Sequence, residues 1–245
     1  MVHYRIIIRK LILLIQKMIN SMSSIQKTAK IAGVLYLLMI PLGIMGLIYI
    51  PEVILVSGDI AATIANIKAN EMLFRLGIVS ALLVQLVQIA LVLSLYKLLK
   101  PVNSLHAKLM VIFALCAVPI AMVAEASYGG VLFLIHATEQ SPLLIELFLY
   151  LHEYGIFIAQ IFWGLWLFPM GYLIYKSNYI PKFIGILLMI GCFGYFVDSF
   201  IFFLYPDFGI MFSAFLFVGE VALPLWLVFK GVDEEKYAQI VQPSS

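Results

Sequence analysis

Residues 76–96 read LGIVSALLVQLVQIALVLSLY, between Arg75 and Lys97. The stretch holds no charged side chain; its polar groups are Ser80, Gln85, Gln88, Ser94 and the Tyr96 hydroxyl. A helix rises 1.5 Å per residue, so a run of this length spans about 30 Å, the thickness of bilayer hydrocarbon. A membrane β-barrel strand would instead show segments of ~10 residues alternating apolar and polar. This run does not alternate. It reads as a transmembrane helix that satisfies its own backbone. Working outward, the same signal recurs over Lys30–Ile50, Leu109–Leu134, Leu147–Tyr175, Phe183–Leu204 and Gly209–Phe229. The expected fold is all-α: a polytopic membrane protein, a bundle of six transmembrane helices. Pro51 is expected to stop the first span and Pro101 the second.

Composition agrees. Of 245 residues, 64% are hydrophobic and 11% charged, and the mean hydropathy is +1.09. Soluble domains are near half apolar and a quarter charged. Three parts follow: a basic amphipathic arm over 1–23, the six-span domain over 24–232, and a tail over 233–245. Residues 51–72 are too polar to span, and Asp59 there is placed to cap a short surface helix from Ile60. The arm has two readings. It lies flat on anionic lipid, or it precedes a true start at Met22.

The charges are sorted. On one side fall Arg5, Arg9, Lys10, Lys17, Lys27 and Lys30, then Lys97, Lys100 and Lys108, then Lys176 and Lys182, then Lys230 and Lys236. Lys68 and Arg75 alone fall on the other, so 13 of the 15 basic residues share a side. By the positive-inside rule both termini are cytoplasmic. The net charge of +2 excludes a nucleic-acid binder. Cys116 and Cys192 lie inside spans, so no disulfide framework is expected. No CxxC, HExxH, GxSxG or phosphate-binding glycine loop occurs.

An ionisable group in hydrocarbon costs at least ~2.5 kcal/mol, so such residues are the functional candidates. They are Glu125 on the third span, Glu153 at the top of the fourth, Asp198 on the fifth and Glu220 on the sixth. Arg75 opens the second. Gln85, Gln88, His136, His152 and Gln160 are secondary candidates. Glu146, Glu153 and Gln160 recur every seventh residue, one helical stripe. Glu125 and His136 share a face, as do Gly194 and Asp198, and Ser213 and Glu220. The stripes point to one outward-opening acidic pocket, in which Glu125 and Asp198 approach each other with Glu153 or Arg75 beside them. The bland alternative is that each acid reaches the interface, pairs with Arg75 or sits protonated. Glu125 follows Lys108 by 17 residues, and Asp198 follows Lys182 by 16. A repeated two-span unit or shared topology accounts equally for this.

Such a pocket would bind or translocate a cation, proton or small amine. A non-catalytic partner or assembly subunit is the second reading. A metal-dependent hydrolase using Glu125, His136, His152 and Glu153 ranks third, since these residues form no tight ligand motif. The cofactor, if any, is left unknown by the sequence; a b-type haem ranks below the hydrolase, because all four His lie at span ends or in loops. The expected partners are membrane lipid and, through the glycine faces, a second membrane protein or another copy of the chain.

Ordered blocks run along the chain. They include Lys27-Thr-Ala-Lys-Ile-Ala-Gly-Val-Leu-Tyr36, Phe74-Arg75-Leu76-Gly77, Leu98-Leu-Lys-Pro-Val102 and Gly171-Tyr-Leu-Ile-Tyr-Lys-Ser177. Further on come Gly194-Tyr-Phe-Val-Asp-Ser-Phe200, Gly219-Glu220, Leu225-Trp226-Leu227 and Lys230-Gly231. Over about residues 24–232 this resembles the prokaryotic membrane family catalogued as domain of unknown function 4386. The resemblance implies a multi-span protein of the cytoplasmic (plasma) membrane and no established activity. Residues 1–21 have no counterpart in it.

Overall fold

The computed structural model describes residues 22–139 and 141–242. The readings of the arm therefore fall outside the described residues. Among these, helices account for all regular structure and there is no strand. The helices are α1 (Ser24–Ile54), α2 (Ile60–Ala69), α3 (Glu71–Leu99), α4 (Ser104–Ile135) and α5 (Pro142–Ser177). They continue with α6 (Lys182–Leu204), α7 (Ser213–Leu216), α8 (Val218–Phe229) and α9 (Glu234–Val241). Five of them, α1, α3, α4, α5 and α6, are long and apolar enough to cross a membrane. A sixth is reached if Ser213–Phe229 is taken together with α9, which bends from it by 100°.

Several boundaries differ from the sequence reading; the first and third spans begin earlier, at Ser24 and Ser104. Pro51 does not stop the first helix. The chain widens into a π turn over Ile44–Tyr49 and resumes as an α-helix through Ile54. A π turn shifts the hydrogen-bond ladder by one residue. Here it sits just before the proline, whose missing N–H would break an ordinary ladder. Ser80 Oγ donates to the Leu42 carbonyl at 2.9 Å where the widening begins. Gly46 is pressed against the backbone of Gly77 and Ala81, leaving no room for a side chain. The fourth span starts earlier, at Pro142, with Ser141 as its cap. Its 36 residues reach about 54 Å, well beyond one hydrocarbon thickness. The last span starts later, at Ser213 rather than Gly209, and breaks at Phe217. Asp59 does cap α2, accepting from Ala62 N at 2.8 Å.

The long helices close into a ring. Neighbours pack in the order α1, α3, α4, α5, α6 and α8, and α8 packs back on α1. Gly33 lets the α8 backbone at Leu227 and Val228 lie directly on α1. A clasp fastens this seam at the lysine-rich end. Gln26 Nε2 donates to the Lys230 carbonyl, Val232 N donates to Gln26 Oε1, and Lys30 Nζ donates to the Val228 carbonyl. Gly231, at φ 72°, makes the left-handed turn that presents these groups. Tyr179 OH donates to the Leu98 carbonyl at 2.7 Å, and burial raises its pKa. Nearby, the Lys236 side chain and amide hold the Asp233 carboxyl below its ordinary pKa.

The apolar interior divides in two. One cluster fills the lysine-rich half around Leu91, Leu95, Trp166, Leu167 and Leu227. The other fills the opposite half around Ile50, Ile67, Phe74, Tyr128 and Ile145. Buried residues outside both clusters include Ala81, Val84, Ala117, Ala121 and Ala159.

Candidate functional site

Glu125 and His152 form a buried pair between α4 and α5. His152 Nε2 and Glu125 Oε1 lie 3.0 Å apart, with the two side chains 7% and 2% exposed. Small residues allow this: Gly155 packs on Ala124, and Gly130 packs on the Phe148 ring. Tyr128, one turn beyond Glu125, stacks on the imidazole with centroids 3.5 Å apart and planes 10° apart. Phe74 of α3 backs Tyr128 at 4.8 Å. Both side chains are buried within the bundle.

The other acids have different partners. Asp198 Oδ1 accepts from Phe212 N at 2.6 Å, and Oδ2 accepts from Ser213 N at 2.8 Å. A helix start has backbone N–H groups without intrahelical acceptors. Asp198 supplies those acceptors from a neighbouring helix, which is why α7 begins at Ser213. Glu220 of α8 accepts from Tyr36 OH at 3.1 Å and from Tyr195 OH at 2.7 Å. Tyr36 also leans on Trp166, at 5.9 Å. Gln160 Nε2 donates to the Tyr195 carbonyl at 3.4 Å.

Arg75 spends its guanidinium on Glu71 at 2.7 Å, and His136 meets the other Glu71 oxygen at 2.9 Å. This trio lies at the exposed end of α3. Glu153 is exposed, although Gln160 on its stripe is buried. It is the neighbouring His152 that points inward. The sequence candidates thus fall into separate groups: Glu125 with His152, Glu220 with two tyrosines, Asp198 with the backbone, Arg75 with His136 through Glu71. The helices of Glu125 and Asp198 are each packed on α5 and share no packing interface of their own.

Tyr36, Tyr128, Tyr195 and Glu71 were absent from the sequence candidates. A signal for the tyrosines existed. Unlike Tyr96 and Tyr175, they have no lysine beside them and sit away from the span ends. Glu71 was readable as four residues before Arg75, a helical ion-pair spacing. Among the described residues no group of three or more His, Cys, Asp or Glu gathers as a metal ion requires.

Residues 31–231 match the family described as Domain of unknown function (DUF4386). The chain belongs to that family. The matched stretch of this DUF4386 protein contains Glu125, His152, Asp198, Glu220 and their partners, and ends at Gly231 of the clasp. An uncharacterized protein of Archaeoglobus fulgidus is 30% identical over 155 residues, covering 63% of this chain and 83% of the relative. No solved structure matches.

Proposed function

We propose that this DUF4386 protein resides in a prokaryotic cytoplasmic membrane with both termini in the cytoplasm, and that it binds or translocates a proton or small cation. The observation that carries the reading is the buried Glu125–His152 pair. An imidazole titrates near neutral pH, and a carboxylate in contact adjusts where. Such a pair stores one proton without leaving a bare charge in the bundle. The Arg75–Glu71–His136 trio belongs to the end of α3 that opens toward the extracytoplasmic side under this orientation. Glu220, between two phenols, is a second carboxyl available to the same chemistry.

The test is proton flux in proteoliposomes carrying an internal pH dye. Glu125→Gln and His152→Gln should each abolish flux while leaving detergent-extracted protein folded. Wild-type flux equal to that of empty vesicles ends the proposal. Orientation is tested separately with single cysteines at Ser57 and Ser104, after replacing Cys116 and Cys192. An impermeant reagent should label position 57 in intact cells and not position 104.

One observation favours a second reading, a subunit that docks on another membrane protein. Because α7 and α8 are short, Phe203, Leu204, Tyr205, Phe208, Met211 and Phe215 stay exposed together. Native mass spectrometry of gently extracted protein would show a second chain if this face is an interface.

A further inference from the structure

Gln85 and Gln88 are each 1% exposed, and the Oε1 atom of each lacks a hydrogen-bond donor. Their Nε2 groups donate to the Ala81 carbonyl at 3.5 Å and the Ala114 carbonyl at 3.4 Å. Because those partners are acceptors, they fix the amide orientations: turning either amide over would set oxygen against oxygen. A buried carbonyl without a donor is costly, and native proteins satisfy nearly all of them. The two lie three residues apart on α3; Gln88 reaches across to α4, and Gln85 bonds back to its own helix.

The location is informative. Phe74 meets Tyr128, and Gln88 meets Ala114, so α3 and α4 keep one antiparallel register over this distance. That register sets Gln85 level with Ala117, Ala81 level with Ala121, and Gly77 level with Glu125. Ala81, Ala117 and Ala121 are fully buried and belong to neither apolar cluster. On α4 the stretch between Glu125 and the level of Gln88 carries the small side chains Ala117 and Ala121, while Ala81 on α3 packs against Gly46 of α1, and the stretch ends on two unpaired acceptors. It is eleven residues long on α4, about 16 Å.

We propose that the Gln85 and Gln88 carbonyls bind a small hydrogen-bond donor, water or ammonium, and continue the polar path inward from Glu125–His152. Two neutral carbonyls are too few for a dehydrated metal ion, which takes six or more oxygens. They suit a donor of water's size. The continuation rests on the proton-site reading above; occupancy of the carbonyls does not.

The experiment compares full-length wild type with Gln85→Met, Gln88→Met and the double variant, in detergent and in proteoliposomes. Methionine keeps length and removes both polar ends. If a donor occupies the carbonyls, the double variant melts lower than wild type; if the carbonyls also continue the proton path, flux falls at least tenfold. Ammonium chloride, against sodium chloride, raises the wild-type melting temperature and not the variant's if ammonium is the occupant. No difference between the salts assigns water. A melting temperature that is unchanged or higher in the variants overturns the proposal, since removing empty acceptors relieves a cost. If the double variant does not fold, each single variant is read the same way. Normal flux in the methionine variants with no flux in Glu125→Gln sinks the continuation alone. Absent wild-type flux sinks the proton-site reading, and the melting comparison still decides occupancy.

Discussion

On α4, Glu125 meets an imidazole; on α6, Asp198 meets two backbone amides. Both carboxyls are buried and lie at matching places after a lysine. Their partners make them different devices. A backbone N–H never changes its protonation, so Asp198 is a fixture that holds a helix start in place. An imidazole does change, so Glu125 has a partner able to take its proton. The lesson is that a carboxyl inside a bundle is judged by what it touches, not by its depth or spacing.

The largest effect is expected at Asp198. Asp198→Leu removes two charge-assisted acceptors and strands two N–H groups, and should cost at least about 3 kcal/mol in detergent unfolding. Asp198→Asn should be nearly as harmful, about 2 kcal/mol, because its NH2 end opposes one of the two donors. An asparagine variant as stable as wild type would show that Asp198 is not a cap. At Glu125 the order changes. Glu125→Leu leaves the imidazole unpaired and should cost about 2 kcal/mol, while Glu125→Gln keeps the contact and should cost about 1 kcal/mol or less. Glu125→Gln should also move the His152 ring-nitrogen chemical shifts, followed by NMR of labelled histidine. No movement would place Glu125 among the fixtures.

Backbone closeness sharpens the picture on the helix between them. Gly171 and Gly185 each lie against the other's carbonyl, so Gly171→Ala should cost about 1–3 kcal/mol. Gly129 faces open space, and Gly129→Ala should gain up to about 1 kcal/mol. Equal effects at the two glycines would mean that α5 and α6 are not held by this contact. The smallest effect belongs to Arg75, exposed and paired within its own helix. Arg75→Ala should leave thermal stability unchanged, since exposed pairs contribute little.

Much of this was legible in the sequence. Uncharged runs such as 76–96 announce spanning helices, and Asp59 before Ile60 announces a capped turn. The errors arose where one helix completes another. Pro51 reads as a stop because local rules do not include a π turn packed by Gly46 on α3. Ser213 cannot be read as a helix start, since its cap comes from Asp198 fifteen residues earlier. For the site, periodicity put Glu153 and Gln160 on one stripe, but their neighbours cover the second and not the first. His152 is a candidate by its chemistry, yet its pairing with Glu125 depends on two long helices crossing at glycines. Sequence spacing within one helix carries no information about that crossing.

The clasp at Gln26 sets a schedule for biogenesis. Its partner Val232 lies 206 residues later. At about 5–20 residues per second, the ribosome needs roughly 10–40 s to deliver that partner. Through that interval α1 waits in the bilayer with its Gly33 groove open and Gln26 unengaged. Insertion of the early helices and closure of the ring are thus separate events.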